Sequence, residues 1–219
     1  IGWKPRSRDV KREKAVFYAE LSQLCVPSAG VIEGAHLVAI RPAQGELNEL
    51  TFDVPRGATI TDVVNYQREV GNQRSEQLVS LWRFDPDTRQ LRVTLSRPQS
   101  RPFSLLVRSQ VATGPLPFEQ SVGLLSVAHA ANQIGVFGVA TGNEVQLDAV
   151  VAERFAPINL EDFSSEVAQP LLARLKVSGG GARGTLLYYI NRPSYSAGKY
   201  TGFFKLGNTI EFSLRPKKK

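Results

Sequence analysis

Short stretches in which apolar and polar residues alternate run along most of this chain. A period of two places alternate side chains on opposite faces of a β-sheet, so each stretch predicts a strand with one buried and one exposed face. The clearest examples are Leu91–Leu95, Phe103–Val107, Val145–Ala149 and Ile210–Leu214. The pattern predicts an all-β, mainly antiparallel β-sandwich with little helix.

The division of the chain into domains stays open at this level. Its 219 residues suffice for one large sandwich or for two β-halves. The sequence Ala-Thr-Gly-Pro-Leu-Pro at 112–117 is the best candidate for a link, because glycine and proline interrupt strands. We expect a first β-half at 15–111 and a second at 118–214, flanked by basic ends at 1–14 and 215–219.

Turn residues predict three hairpins, one of which joins strands at 15–26 and 31–40 across Pro-Ser-Ala-Gly at 27–30. Asp-Pro-Asp-Thr at 85–88 favours a type I turn, since proline presets φ at the second position and the aspartate side chains bond the local backbone. Thr-Gly-Asn at 141–143 predicts another hairpin, between strands at 134–140 and 145–151.

The positive charge of this chain is concentrated at its ends. The formal net charge is +7, of which residues 1–14 carry +4 and residues 215–219 another +4, leaving 15–214 at −1. Basic ends attract polyanions such as nucleic acid, although solvated, inert ends explain the same composition. The side chains predicted to contact a polyanion are Lys4, Arg6, Arg8, Lys11, Arg12, Lys14, Arg215, Lys217, Lys218 and Lys219.

The sequence contains few residues that could form a metal site or a reactive thiol. His36 and His129 lie far apart in sequence, and Cys25 is the only cysteine. A zinc site needs three or four ligands, usually with close local spacing, so we predict structural histidines and no metal site. Cys25 lies in an apolar strand without a neighbouring histidine or acid, which predicts a buried structural thiol.

Hydrolytic chemistry also lacks a clear pattern. No Gly-x-Ser-x-Gly elbow occurs, and the two acidic pairs have structural explanations in a turn (Asp85 with Asp87) and at the start of a short helix (Glu161 with Asp162). We therefore predict no catalytic residue, no cofactor and no enzymatic activity. No apolar run approaches the roughly 20 residues of a transmembrane helix.

Several generic strand and turn segments follow one another between residues 40 and 165. They are the strand and turn at 52–60, the strand bearing Trp82, the strands at 91–95 and 103–107, and the stretches at 135–140 and 158–163. This order resembles β-sandwich modules of large bacterial envelope proteins. The resemblance implies a structural or interaction role outside the cytoplasm, in the periplasm or at the cell surface, without catalytic residues.

The function predicted from these observations is that of a non-catalytic interaction module of a larger extracytoplasmic protein. It would bind other protein domains or subunits, and could form an oligomer, through sheet edges and two polar loops at 65–77 and 191–202, whose tyrosines are Tyr66, Tyr195 and Tyr200. One alternative is a viral capsid or particle-shell subunit with a jelly-roll-like body and basic arms that contact nucleic acid. Another is a carbohydrate-binding or carbohydrate-processing β-domain.

Overall fold

Strands make up most of the described chain. The structure is a computed structural model that describes residues 15–66, 77–140, 145–151, 156–157, 186–191 and 209–216, with side chains at 15–66 and 77–139. The strands in these residues are β1 (Val16–Ser28), β2 (Val31–Gln44), β3 (Leu47–Asp53), β4 (Ala58–Tyr66), β5 (Val79–Asp85), β6 (Gln90–Gln99), β7 (Phe103–Ala112), β8 (Phe118–Gly123), β9 (Ser126–Val127), β10 (Asn132–Ala140), β11 (Val145–Val151), β12 (Ala156–Pro157), β13 (Leu186–Asn191) and β14 (Thr209–Pro216). The described residues contain no helix, and therefore none that could cross a bilayer.

The strands form one long sheet and two smaller ones. The long sheet has the order β12-β13-β10-β1-β2-β7-β4, the short sheet β5-β6-β3-β9, and the third sheet β11-β14-β8. Every described pair is antiparallel except β1 with β10, which is parallel. The prediction of an all-β, mainly antiparallel β-sandwich is confirmed.

The hairpin of β1 and β2 forms the centre of the long sheet. Its pairing runs from Ser28 opposite Val31 to Phe17 opposite Pro42. Gly30 closes the turn with φ of +84°, a left-handed conformation that costs glycine little because it has no Cβ. The hairpin supplies two long neighbouring strands on which both the core and the outer surface of the sheet are built.

The hydrophobic core lies between the long and the short sheet. Alternate residues of β1, including Phe17 and Leu21, face it from the long sheet. Phe52 and Leu91 face it from the short sheet, where they are paired opposite one another and are fully buried. Each side chain of this kind contributes about 2–3 kcal/mol through the surface it removes from water.

Strand pairing crosses the segment at 112–117. This segment separates β7, which ends at Ala112, from β8, which begins at Phe118. Beyond it, β9 pairs with β3 and β10 pairs with β1. Phe137 of β10 accordingly packs in the same core as Phe17 and Phe52, so residues on both sides of the segment build one hydrophobic interior.

The hairpin predicted across 141–143 is wrong. Strand β10 lies between β1 and β13 in the long sheet, whereas β11 pairs with β14 in the third sheet. Because both edges of β10 are already paired, no edge remains for β11. Residues 141–144 lie outside the described part of the chain.

Two predicted boundaries also change. Tyr66 is the last residue of β4, opposite Ser104 of β7, and is not part of the polar loop. Arg215 pairs with Gln146, so β14 extends past the predicted end of the second half. In both places, backbone pairing to a neighbour continues the strand beyond the alternating stretch that predicted it.

Candidate functional site

The exposed apolar side chains of the described residues gather on one surface. The outer face is defined here as the side of the long sheet opposite the core. In β1, Phe17 and Leu21 point into the core, so Val16, Tyr18 and Glu20 belong to the outer face. Of the five large exposed apolar side chains in the described residues, four lie on this face: Val16, Tyr18, Val64 and Ile134.

Strand register determines which side chains are neighbours on the outer face. One row of side chains crosses five strands, because residues opposite one another in a sheet point to the same side. The row runs Ile134, Glu20, Ala39, Ser104 and Tyr66. Tyr66, half-buried at the end of this row, is thereby placed on the same face as the exposed Ile134.

Part of the outer face is buried. Leu24, Leu37 and Leu106 belong to this face by register, but all three are buried and lie outside the main core cluster. On the same face, Val64 is exposed in the row of Leu37 and Leu106, and Thr59 and Gln110 are exposed at the opposite end of the sheet. The buried patch therefore covers only part of the outer face.

A groove of about 150 Å³ lies on the outer face between β1, β2 and β10. Tyr18, which is 49% exposed, and Ile134 line it together with Glu20 and Arg41. The guanidinium of Arg41 lies 3.4 Å from the carboxylate of Glu20, and both side chains are at least half exposed. A pair this exposed contributes about 0–1 kcal/mol, so both charges remain available to a partner.

A second group of polar side chains is buried in the core and is called the polar relay here: Gln23, His36 and Ser109. The amide of Gln23 donates to the carbonyl of Leu125 and accepts from its N–H, both at 3.0 Å. Gln23 Oε1 also lies 2.9 Å from His36 Nδ1, and Ser109 Oγ lies 2.8 Å from His36 Nε2. The relay links β1, β2 and β7 to the chain between β8 and β9.

The hydrogen bonds determine the tautomer of the imidazole. Gln23 Oε1 is an acceptor, because it receives the N–H of Leu125. His36 Nδ1 must therefore carry the proton, and Nε2 accepts the hydroxyl proton of Ser109. Every polar group of the relay is paired, as buried polar groups require.

The relay has the spacing of a nucleophile, a base and an orienting group. Burial, however, lowers the pKa of His36 to about 4, which makes it a poor base near neutral pH. Ser109 and His36 line a cavity of only about 10 Å³, room for about one water molecule. This geometry supports a structural role, with the relay joining parts of the sandwich that are distant in sequence.

Gly34 makes the relay geometrically feasible. It lies opposite Ser109 on the neighbouring strand. A Cβ at this position would lie 2.4 Å from Ser109 Oγ and 2.8 Å from His36 Nε2. Only glycine leaves room for the hydrogen bond between the hydroxyl and the imidazole.

The other residues that the sequence offered as candidates for thiol, acid or aromatic binding chemistry have structural roles in the fold. Cys25 is buried, and burial raises its pKa to about 12. The carboxylate of exposed Asp85 accepts hydrogen bonds from Thr88 and from the backbone of Asp87, which lower its pKa. This pairing confirms the predicted turn between β5 and β6. Trp82 is half-buried against the core, and no group of described side chains has the composition of a metal site.

The predicted contact residues are only partly placed. The basic side chains at 1–14 and at 217–219 lie outside the described residues, and Arg215 is described by its backbone alone. Tyr195 and Tyr200 also lie outside, as do Glu161 and Asp162. Contact with a polyanion and contact through the loop at 191–202 therefore stay predictions.

Sequence reasoning missed Gln23, Ser109, Tyr18 and Ile134. A signal for Gln23 existed: it continues the inward series of Phe17, Ala19 and Leu21, where a polar residue requires a buried partner. No comparable signal marked Tyr18 or Ile134, because their exposure depends on which parts of the sheet are covered.

Comparisons with known proteins give little information about this chain. No protein-family model matches the sequence, and no curated protein matches it. Among solved structures, the chain is similar to an M1 zinc metallopeptidase from Deinococcus radiodurans, in a mutant form bound to a Tyr-Ser-Ala substrate, with 11% identity and a TM-score of 0.44 over 90% of this chain and 42% of that chain. For another structure of that peptidase the identity is 11% and the TM-score 0.42, over 90% and 41% of the two chains. The chain spans about two fifths of the length of these peptidases, and similarity at this level carries no argument about activity.

Proposed function

We propose that this chain is a non-catalytic interaction module of a larger extracytoplasmic protein, and that it contacts other protein surfaces through its outer face. The observation that carries the proposal is the location of Val16, Tyr18, Val64 and Ile134 on one face of one sheet. Single exposed apolar residues are ordinary on protein surfaces, whereas several on one face mark a candidate interaction site. Val16, Tyr18 and Ile134 lie on the adjoining strands β1 and β10, and Val64 lies on the same face across β2 and β7.

The composition of the outer face suits contact with protein. An exposed tyrosine and an exposed isoleucine lie beside an ion pair, so the face offers apolar area together with fixed charges of both signs. Tyrosine is enriched at interfaces because its ring provides a large contact area and its hydroxyl retains a hydrogen-bonding group. The extracytoplasmic location is supported only by the resemblance of the segments between residues 40 and 165.

The experiment that tests the proposal is site-specific photocrosslinking in cells of the source organism. A benzoylphenylalanine residue replaces Ile134 on the outer face, and in a matched control it replaces Leu81, which is 63% exposed on β5 of the short sheet. We expect protein adducts from position 134 and none, or far fewer, from position 81. Equal labelling at the two positions, or no adduct at position 134, would contradict the proposal.

A further inference from the structure

The groove on the outer face has the size of one aromatic ring. Its volume is about 150 Å³, and a protein cavity of that volume holds one benzene molecule. Tyr18 lines the groove and is itself 49% exposed. The same small area thus presents a ring and a space that fits a ring.

The acid and the base beside the groove make this face complementary to the same face of a second copy. Glu20 and Arg41 lie side by side with their charged groups 3.4 Å apart and at least half exposed. A two-fold axis that lies in the plane of the interface, at right angles to the line joining the two charged groups, reverses their order in the second copy, so each acid can face the base of the other copy. The positive charge of the whole chain resides at its ends, since 15–214 carries a net charge of −1. Repulsion between the bodies of two copies is therefore small.

From the ring, the groove and the paired charges, and resting on the proposed function, we propose that the partner of the outer face is a second copy of this chain. The two copies form a two-fold dimer in which Tyr18 of each copy enters the groove beside Tyr18 of the other. Across the interface, Glu20 of each copy lies near Arg41 of the other copy.

The area of the exposed face limits the expected affinity of the dimer. Five strands about 4.8 Å apart and three rows of side chains about 7 Å apart give roughly 500 Å² per copy. A stable complex buries about 800 Å² per partner, so this dimer is weak and transient. Its expected dissociation constant lies between about 10 μM and about 1 mM.

Sedimentation velocity of the full chain over that concentration range measures the association. We expect the wild-type protein to sediment faster as its concentration rises, and Tyr18→Ser to weaken the association at least tenfold. Leu81→Ser, which removes an exposed apolar side chain from the short sheet, is the matched control and keeps the wild-type dissociation constant. A wild-type protein that stays monomeric over the whole range, or a Tyr18→Ser variant that associates like the wild type, would overturn the inference.

Charge reversal separates contact between copies from contact within one copy. Glu20→Arg and Arg41→Glu each place like charges at the interface, so each variant alone is expected to associate at least tenfold more weakly than the wild type. An equimolar mixture of the two should associate again, because opposite charges then meet between the copies. The ion pair within each copy is lost in both variants, so only contact between copies explains recovery in the mixture. A mixture that stays as weak as the single variants overturns the proposed arrangement.

Photocrosslinking at position 134 distinguishes a failure of the proposed dimer from a failure of the proposed interaction module. Adducts between two copies support both. Adducts with a different protein alone, together with a monomeric wild type, overturn the dimer and leave the interaction module intact. The absence of any adduct overturns both.

Discussion

Replacing Gln23 with leucine removes three hydrogen bonds from the interior of the sandwich at once. The Gln23 amide makes two bonds to the backbone of Leu125, each of 3.0 Å, and one of 2.9 Å with His36. Gln23→Leu leaves the N–H and carbonyl of Leu125 and the Nδ1–H of His36 buried without this partner. Each such group costs about 1–3 kcal/mol, so the three together cost about 5 kcal/mol. The additional apolar surface of leucine offsets about 1 kcal/mol, and we expect a net loss of about 4 kcal/mol in the free energy of unfolding.

Urea unfolding followed by circular dichroism measures this loss. With a slope of about 2 kcal/mol per molar urea, the midpoint should fall by about 2 M. Gln120→Leu is the matched control, because the Gln120 amide makes one hydrogen bond of 3.0 Å, to the neighbouring carbonyl of Ser121 at the surface. We expect that control to change the free energy of unfolding by less than about 0.5 kcal/mol.

Equal midpoints for Gln23→Leu and Gln120→Leu would refute the reasoning, since they would mean that the buried groups keep partners without the amide. If Gln23→Leu does not fold, Ser109→Ala provides a milder test of the same relay. That variant removes one hydrogen bond of 2.8 Å and should cost about 1–2 kcal/mol. A loss at Ser109→Ala as small as that of the Gln120 control would contradict the relay as well.

Four further outcomes are expected. Acid should destabilise the fold through His36, because burial lowers the pKa of this imidazole to about 4 in the folded protein. The contribution of His36 to the free energy of unfolding is complete above its unfolded pKa of about 6.5. That contribution, about 3 kcal/mol, is lost as the pH falls towards the folded pKa. Urea midpoints across that range should show this loss in the wild type and a smaller one in His36→Gln. Gly34→Ala should cost about 1–3 kcal/mol because the added Cβ would collide with the hydroxyl of Ser109. Gly114→Ala, with no atom within 4 Å of the added Cβ, should be nearly neutral in the same unfolding assay. The thiol of Cys25 should not react with a disulfide reagent in the native protein and should react fully in urea, since burial raises its pKa to about 12; rapid native labelling would contradict its burial. Finally, fluorescence anisotropy against nucleic acid separates the two interpretations of the basic ends: salt-sensitive binding that is lost when both ends are removed supports polyanion contact, and no binding with or without the ends supports inert ends.

The strands were predictable because alternation is a local property. The stretches at 91–95, 103–107 and 210–214 lie within β6, β7 and β14. The partners of the strands were less predictable, as the parallel pairing of β10 with β1 illustrates. Every strand offers the same backbone donors and acceptors along its edges, so an alternating pattern specifies the faces of a strand and leaves its neighbours open.

The candidate site was less predictable than the fold. Tyr66 was predicted as a contact residue and lies on the outer face, but Tyr18 and Leu24 share the same outward series in β1 and differ completely in exposure. Whether a position on a sheet face is exposed depends on what covers the sheet there, and the alternation contains no information about that cover.

The amino-acid sequence by itself determined that the chain folds as β-strands, where a tight turn lies and where the positive charge is concentrated, because these depend on neighbouring residues and on composition. Only the tertiary structure decided that Gln23 and Ser109 bond His36 from positions 13 and 73 residues away. It also decided that Ile134 and Tyr66 lie in one row across five strands. Both results require the assembly of the whole sheet, in which the position of each strand depends on its packing and pairing with the others.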